Sequence, residues 1–323
     1  MDELPVISVV ISNFNGLRFL DRLLASLRAQ RDVVLDIIVV DRLSRDGSRE
    51  FLEAQPDVRV VSEPPQSGLV SGYAAGAKVA RFPLLFFANE DLWLDPDCLS
   101  RLAARIDVAA KVGMADPWEW DYQGARLHHA GVRFEKVRWD GNCPWPWARF
   151  DFVAPLTTGA RVPFPCAGAF LIHRACYDEL GGFDTGFFLD FEDADLGVRA
   201  WQRGWQCVTV AEARVFHAVG ASNPQSGGRR YISNRTNFAL VGLKNFSWRA
   251  LPVVGLTWIT ALAGNARHGR WARVWGDLLA VRQVIARLPD VVEFRRANAA
   301  YTHYLPGERF FQAPEFQKTA QTS

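Results

Sequence analysis

Five acids crowd into the stretch GGFDTGFFLDFEDADLGVR, residues 181–199: Asp184, Asp190, Glu192, Asp193 and Asp195, set among Phe183, Phe187, Phe188, Leu189, Phe191 and Leu196. Apolar surroundings disfavour a charged carboxylate and push its pKa upward, whereas a nearby cation restores the charge. A general base requires such tuning. The same acids also suit the first turn of a helix, where they complement the backbone dipole. A second acidic group, Asn89-Glu90-Asp91, closes an apolar run. Two adjacent acids suit a hard divalent cation that also holds phosphates; the alternative is that Asp91 caps a turn. His217 likewise ends an apolar run, either as a core or surface residue or as an imidazole that joins carboxylates on a metal. His128 and His129 are adjacent and cannot share one face of a regular element, so they read as structural. Arg229 and Arg230 flank a Gly-containing loop at 223–228, suited to phosphate or simply to solvent.

These residues need elements to position them, and the first 110 residues supply a regular alternation. Apolar runs at 6–11, rich in β-branched residues, and at 37–40, 58–61 and 84–88 read as buried strands. Helical spacing at 17–30 (Leu20, Leu23, Leu24, Leu27), 68–80 and 96–110 separates them, with Pro96 suited to a first turn. Strand, helix, strand with short connections predicts an α/β fold with a mostly parallel sheet flanked by helices. Ligands bind such sheets at the carboxyl ends of the strands. Asn13 and Asn15, Asp41, and Asn89-Glu90-Asp91 all fall there. Beyond residue 110 the expected elements are strands at 112–115, 169–173, 206–210 and 215–217 and helices at 174–180, 194–203 and 231–245. The stretch 116–165, rich in Trp, Pro and Gly, has no placeable pattern, and the end from 312 reads as frayed.

The chain has 323 residues with 49% hydrophobic and 22% charged, ordinary for a protein with a full core. The formal net charge of +2 gives no sign of nucleic-acid binding. Five cysteines without a C-x-x-C pair argue against a disulfide framework or structural zinc and fit a reducing cytoplasm. No basic, apolar leader opens the sequence, and no apolar run is long enough to span a bilayer. Internal repeats, GxGxxG and a Walker loop are absent, which weakens dinucleotide and P-loop readings.

The order ISVVISNFNG, DIIVVDRLSRDGS, SGLVSGYAAGAKVA, LLFFANED and GGFDTGFFLDFEDADLGVRA resembles the family-2 glycosyltransferases, most of all their bacterial rhamnosyltransferase-like branch, over roughly residues 5–245. The resemblance implies a GT-A fold, a catalytic domain at 1–245 and inverting transfer from a nucleotide-diphosphate sugar, dTDP-rhamnose or a UDP-hexose. It implies nucleotide-sugar binding by Ser12, Asn13, Asn15, Asp41, Gly68, Asn89, Glu90 and Asp91. Asp91 matches the metal-ligand position, His217 the histidine that completes a Mn2+ or Mg2+ site, and Asp193 the catalytic base, with Glu192 beside it. Tyr231, Arg235, Lys244 and Asn245 match the family's Y-x-x-x-R…K-N helix. Arg42, Tyr73 and the Asn-Glu-Asp reading depart from the usual pattern around the nucleotide. The implied acceptor is a saccharide or lipid-linked saccharide in cell-surface polysaccharide assembly. Rival readings are a nucleotidyltransferase, which lacks its Gly-rich basic loop, and a non-catalytic carbohydrate-binding or scaffold protein on the same fold.

Residues 246–323 read as a helical C-terminal extension with a frayed tail. Trp248, Trp258, Trp271 and Trp275 alternate there with Arg249, Arg267, Arg270, Arg273, Arg282 and Arg287. Interleaved Arg and Trp suit peripheral contact with an anionic membrane face, whereas an amphipathic pair packed on the catalytic domain, or a dimer contact, suits the same pattern.

Overall fold

The computed structural model describes residues 3–64, 68–135, 149–152, 155–219, 227–247, 250–299, 310 and 313–316. Trp139, Trp145, Trp147, Trp248, Arg249, Cys143, most of the 223–228 loop and everything past Phe316 lie outside them. The first half alternates as its periodicity requires: β1 Val6–Asn13, α1 Leu17–Arg28, β2 Val34–Asp41, α2 Ser48–Glu53, β3 Val58–Ser62, α3 Gly68–Val79, β4 Leu84–Asn89, β5 Leu92–Leu94 and α4 Cys98–Ala103. The second half carries β6 Val112–Asp121, β7 Leu127–His129, β8 Arg133–Glu135, β9 Arg149–Asp151, β10 Arg161–Val162, β11 Ala169–His173, α5 Arg174–Glu179, α6 Glu192–Gln202, β12 Gln206–His217 and α7 Gly227–Asn245. Helices α8 Ala250–Arg267, α9 Trp271–Ala286 and α10 Leu288–Ala297 follow.

The main sheet runs β10-β12-β6-β11-β4-β1-β2-β3. Strands β4, β1, β2 and β3 are parallel, as crossover helices demand. β11 then enters antiparallel between β4 and β6, and β6 pairs parallel with β12. The sheet is therefore mixed beyond β4. Alternate strand residues feed two cores. Ile7, Val9, Ile11, Val39 and Phe86 meet the α1 stripe Leu20, Leu23, Leu24 and Leu27, and Val10, Ile38, Val40 and Phe87 meet Val70, Tyr73 and Ala77 of α3. Helices on both faces explain why these strands are continuously apolar.

The structure departs from the periodic reading at four places. The helix expected at 96–110 stops at Ala103; Lys111, at φ +58, turns the chain into β6, and Asp107 pairs with Val112 across that turn. The strand expected at 112–115 runs on to Asp121, through Pro117. The two short strands at 206–210 and 215–217 are one, β12, with a register shift between Val210 and Arg214 that marks a bulge. Within the end read as frayed, Pro314–Phe316 forms a 3-10 turn whose Phe316 is buried against Phe134 and Phe310.

Beyond the sheet, α7 packs on α6, and α8, α9 and α10 pack on α7. The tie between α7 and α9 is polar. Asp277, buried on α9, accepts from Tyr231 Oη and Arg235 Nε, both at 2.9 Å, and from Asn265 Nδ2 at 2.9 Å. Lys244 and Asn245 at the end of α7 reach back to the acid-rich stretch. Lys244 Nζ lies 2.8 Å from Asp184, and Asn245 Nδ2 donates to Asp195 at 2.7 Å. Arg199 closes the buried network on Asp195 at 2.7 Å. The four residues expected in the Y-x-x-x-R…K-N helix thus fasten the chain's second half together.

Candidate active site

Two loops meet above the ends of β1 and β2. Asn13 Nδ2 donates to Asp41 Oδ1 at 2.8 Å, and Ser44 Oγ donates to the same oxygen at 2.6 Å. Asn15, at φ +56, takes the backbone N–H of Arg45 at 2.8 Å while its own N–H donates to Ser44 Oγ. Asn13, Asn15 and Asp41 are therefore brought together, and much of their hydrogen bonding holds the rim itself. Ser12 Oγ, Asn13 Oδ1 and Arg42 Nε are buried without a hydrogen-bond partner among the described residues. Such groups normally find one, so this rim has donors and acceptors left for a ligand. Arg42 lies over Phe14, 5.1 Å from the ring centre, and burial lowers its pKa while Glu90 pulls it back. Burial, then Asp91, pushes Glu90 up to about 7, against the pull of Arg42. Tyr73 donates to Asn89 Oδ1 at 2.7 Å and so fixes the residue that opens the acidic motif. Gly68 opens α3 some way along the rim, with its backbone against Phe188, whose carbonyl accepts from Leu69 N–H at 3.0 Å.

Asp91 and His217 come together through strand register. β5 follows Asp91 at once and pairs antiparallel with the end of β12, placing Leu92 opposite His217. Asp91 Oδ1 lies 2.9 Å from His217 Nε2, and Glu119 Oε1 lies 3.0 Å from His217 Nδ1. β6 and β12 run parallel with Glu119 beside Val215, so Glu119 and His217 share a face two residues apart. Burial lowers the pKa of His217, but Glu119 and then Asp91 outweigh it and carry the imidazole up to about 10. An imidazole held on one nitrogen by a carboxylate and offering the other beside a second carboxylate is a frequent second-shell arrangement at metal sites. Oxygen and imidazole donors suit Mn2+ or Mg2+. The donor set fits a divalent ion, which competes for the lone pairs that now share a proton. Among the described residues no group of three His, Cys, Asp or Glu side chains is arranged to enclose an ion alone. Two protein ligands leave room for phosphate oxygens, as hard cations with nucleotides require.

The segment Cys166-Ala167-Gly168 joins this pair to the acid-rich stretch. Ala167 N–H donates to Asp193 Oδ2 at 3.2 Å, and Gly168 C=O accepts from Asn89 N–H at 2.9 Å. A Cβ on Gly168 would stand 2.8 Å from Glu119 Oε2 and 3.1 Å from the His217 ring, so any side chain there would displace this pair. Behind it, Asp116 accepts from Cys166 N–H at 2.9 Å and pairs with His129 Nε2 at 2.7 Å.

Glu192 and Asp193 open α6 itself, so the helix-start and acid-site readings describe the same residues. Asp190 and Phe191 precede them at φ +67 and +69, two successive non-glycine residues in the left-handed region. The strain is held from α7: Ser233 Oγ donates to Leu189 C=O at 2.7 Å, and Asn237 Nδ2 to Asp190 C=O at 2.8 Å. Arg230 grips the Asp190 carboxylate with two bonds, at 2.9 and 3.0 Å. Arg229 instead lies over the Phe188 ring. Burial raises Asp193 to about 6, against the N–H groups of Ala194 and Ala167. Glu192, buried on all sides, is raised well above the usual range by burial and then by Asp193. Burial thus raises both neighbours, and Asp193, unlike Glu192, accepts two backbone N–H bonds that favour its charged form.

Sequence reasoning missed Glu119, Asp116, Cys166 and Asn237. The alternation Trp118-Glu119-Trp120-Asp121 was a signal for the first, masked by Pro117, which argues against a central strand. Nothing local marks Asn237 beyond its position one turn after Ser233.

A mixed sheet with crossover helices, a polar rim over β1 and β2, and an Asp–His pair beside a second carboxylate define the GT-A glycosyltransferase class. The likeness extends to GalNAc-T7 solved with UDP, GalNAc and Mn2+, at TM-score 0.66 and 17% identity, covering 97% of this chain and 57% of that one. It extends also to the mannosyltransferase PcManGT from Pyrobaculum calidifontis in complex with GDP-Man and Mn2+, at TM-score 0.51 and 17% identity, covering 96% and 84%. An N-acetylglucosaminyl-diphospho-decaprenol L-rhamnosyltransferase of Mycobacterium tuberculosis is 29% identical over 278 residues, 78% of this chain and 88% of its own. The family described as Glycosyl transferase family 2 matches residues 8–181, and the chain belongs to it.

Proposed function

We propose that the protein transfers a sugar, with inversion, from a nucleoside-diphosphate donor to a hydroxyl of a saccharide or lipid-linked saccharide. The observation that carries this reading is the Cys166–Gly168 segment, which contacts Asp193 on one side and packs against Glu119 and His217 on the other. In this reading Asp193 serves as the base and Asp91 with His217 as the cation site, joined through these three residues. Asp193 takes the proton of the acceptor hydroxyl as that oxygen bonds to the anomeric carbon. The bond from that carbon to the diphosphate oxygen breaks in the same step, and the nucleoside diphosphate leaves with the electron pair. Asp91 and His217, the latter oriented by Glu119, would hold a divalent cation, which when bound supplies positive charge against the diphosphate. Ser12, Asn13, Asp41 and Arg42 receive the nucleoside. The relative named as an L-rhamnosyltransferase and the neighbour solved with UDP support dTDP-rhamnose or a UDP-hexose as donor. The decaprenol-linked substrate in that relative's name supports a lipid-linked acceptor.

The test is a melting-temperature screen of UDP, dTDP and GDP with and without Mn2+. A ligand that binds only the folded state raises stability by RT ln(1 + [L]/Kd). The expected result is a shift with UDP or dTDP that needs the metal. A shift of equal size in EDTA removes the Asp91–His217 site from the reading, and no shift with any of the three removes the donor.

A further inference from the structure

We infer that the outer face of the α8–α9 hairpin is a docking surface for an anionic lipid bilayer. The inner faces are accounted for. Val254, Thr257 and Asn265 of α8 and Gly276, Asp277, Ala280 and Val284 of α9 are buried. The outer faces are unlike the surface of a water-soluble helix. On α8 the exposed positions Leu256, Ile259, Ala263 and Ala266 repeat at helical spacing without a single charge. On α9 the exposed stripe is Trp271, Trp275, Leu278, Arg282 and Ile285, spaced four, three, four and three. Trp271 and Trp275 are 67% and 65% exposed, Ile259 65% and Ile285 60%. Single exposed apolar residues are ordinary, but large ones aligned on adjacent helices mark a contact surface.

Charge selects the occupant. Arg267, Arg270 and Arg273 cluster exposed at the turn between the two helices, and Arg282 lies within the apolar stripe. Between residues 250 and 289 the only acid is Asp277, which is buried and bound to Arg235, Tyr231 and Asn265. The face therefore offers bulky indoles, aliphatic side chains and guanidinium groups with no exposed carboxylate. Indoles settle at the headgroup boundary, and each basic residue gains from anionic headgroups. A self-associating face would balance its arginines with acids, since two copies bring identical charges together. No helix among the described residues is long and apolar enough to cross a membrane, so the contact lies along the surface.

The test is flotation of the full chain with vesicles of equal parts phosphatidylcholine and phosphatidylglycerol, against vesicles of phosphatidylcholine alone. Capture requires neither donor nor acceptor, so its failure leaves the transfer reading untouched. The wild-type chain is expected to float with the mixed vesicles at least about tenfold more strongly than with the neutral ones, and less strongly in high salt. Trp271→Ser with Trp275→Ser should weaken capture by about tenfold or more at an unchanged melting temperature, because both rings are largely outside the core. Arg270→Gln with Arg273→Gln should remove most of the preference for the anionic vesicles. The inference is overturned if the wild type does not float, or if the tryptophan pair can be replaced without loss. It is also overturned if sedimentation shows a dimer that this replacement abolishes while capture persists.

Discussion

Replacing Asp193 by asparagine tests the site most directly, because the structure sets the expected cost on two separate scales. The carboxylate is raised from 3.8 to about 6, chiefly by burial. The folded chain therefore holds this proton more tightly than the unfolded one. The effect on stability is absent below pH 4 and grows as pH rises to 6. Above that it amounts to at most about 3 kcal/mol of destabilisation, reduced because the residue keeps some contact with solvent. Asparagine removes this penalty. It also loses one of the two bonds the carboxylate accepts, at 2.6 Å from Ala194 and 3.2 Å from Ala167, because its amide group cannot accept on both sides. A bond to a charged group contributes about 1.5–3 kcal/mol. The two changes nearly cancel, so the melting temperature at pH 8 should move by only a few degrees. Activity should not be spared: loss of a general base lowers kcat by about 10²–10⁴-fold. In the wild type, kcat should fall about tenfold per pH unit below 6. The assay is sugar transfer followed by release of nucleoside diphosphate, run beside nucleotide titration and a thermal melt. If the variant keeps more than about a tenth of wild-type kcat, Asp193 is not the base. A collapse of melting temperature together with nucleotide affinity shows instead that the residue is structural.

Three further predictions separate the neighbouring roles. Glu192→Gln should leave kcat within about threefold, because glutamine keeps the shape of a side chain that burial shifts toward its neutral form; a loss as large as that of Asp193→Asn in the same assay reverses the assignment. Gly168→Ala should weaken Mn2+-dependent nucleotide binding by about 10–100-fold, since its Cβ meets Glu119 and the His217 ring; calorimetric titration with and without the metal measures this. Asp277→Ala should destabilise the fold by about 3–5 kcal/mol by leaving Arg235 buried without its partner; a denaturant melt with an unchanged midpoint contradicts the buried-network account.

The candidate site residues that the structure brings to one edge, as the sequence suggests, are those that end apolar strands. Asn13 and Asp41 each close an apolar run and Asp91 follows one by two residues, and parallel topology sends all such ends to one edge. His217 could be named for the same reason, and the resemblance joins it to Asp91, but the elements that make its two contacts could not be foreseen, nor could Glu119. Its contact with Asp91 depends on the three-residue β5, and its contact with Glu119 on a strand interrupted by proline. Strands that short, or broken in this way, leave little periodic signal. The acid-rich stretch was legible in composition and ambiguous in role. Five acids look alike in a row; the fold divides them by their cations. Asp184 and Asp195 are held by Lys244, with Arg287 and Arg199. Asp190 is held by Arg230, while Glu192 and Asp193 form no ion pair among the described residues and are raised by burial instead. Pairings across 40 to 103 residues of chain are invisible to local pattern.

The left-handed pair Asp190 and Phe191 also sets an order in time. Each residue in that conformation costs about 1–3 kcal/mol and persists only where its surroundings impose it. Here the imposing groups, Arg230, Ser233 and Asn237, lie on α7, some forty residues further along the chain. A chain emerging from the ribosome exposes its N-terminal strands first. The rim of β1, β2 and β4 is made of early chain, whereas the conformation that leads into Glu192 and Asp193 is held by α7, made late. The two halves of the candidate site are thus completed at different stages of synthesis.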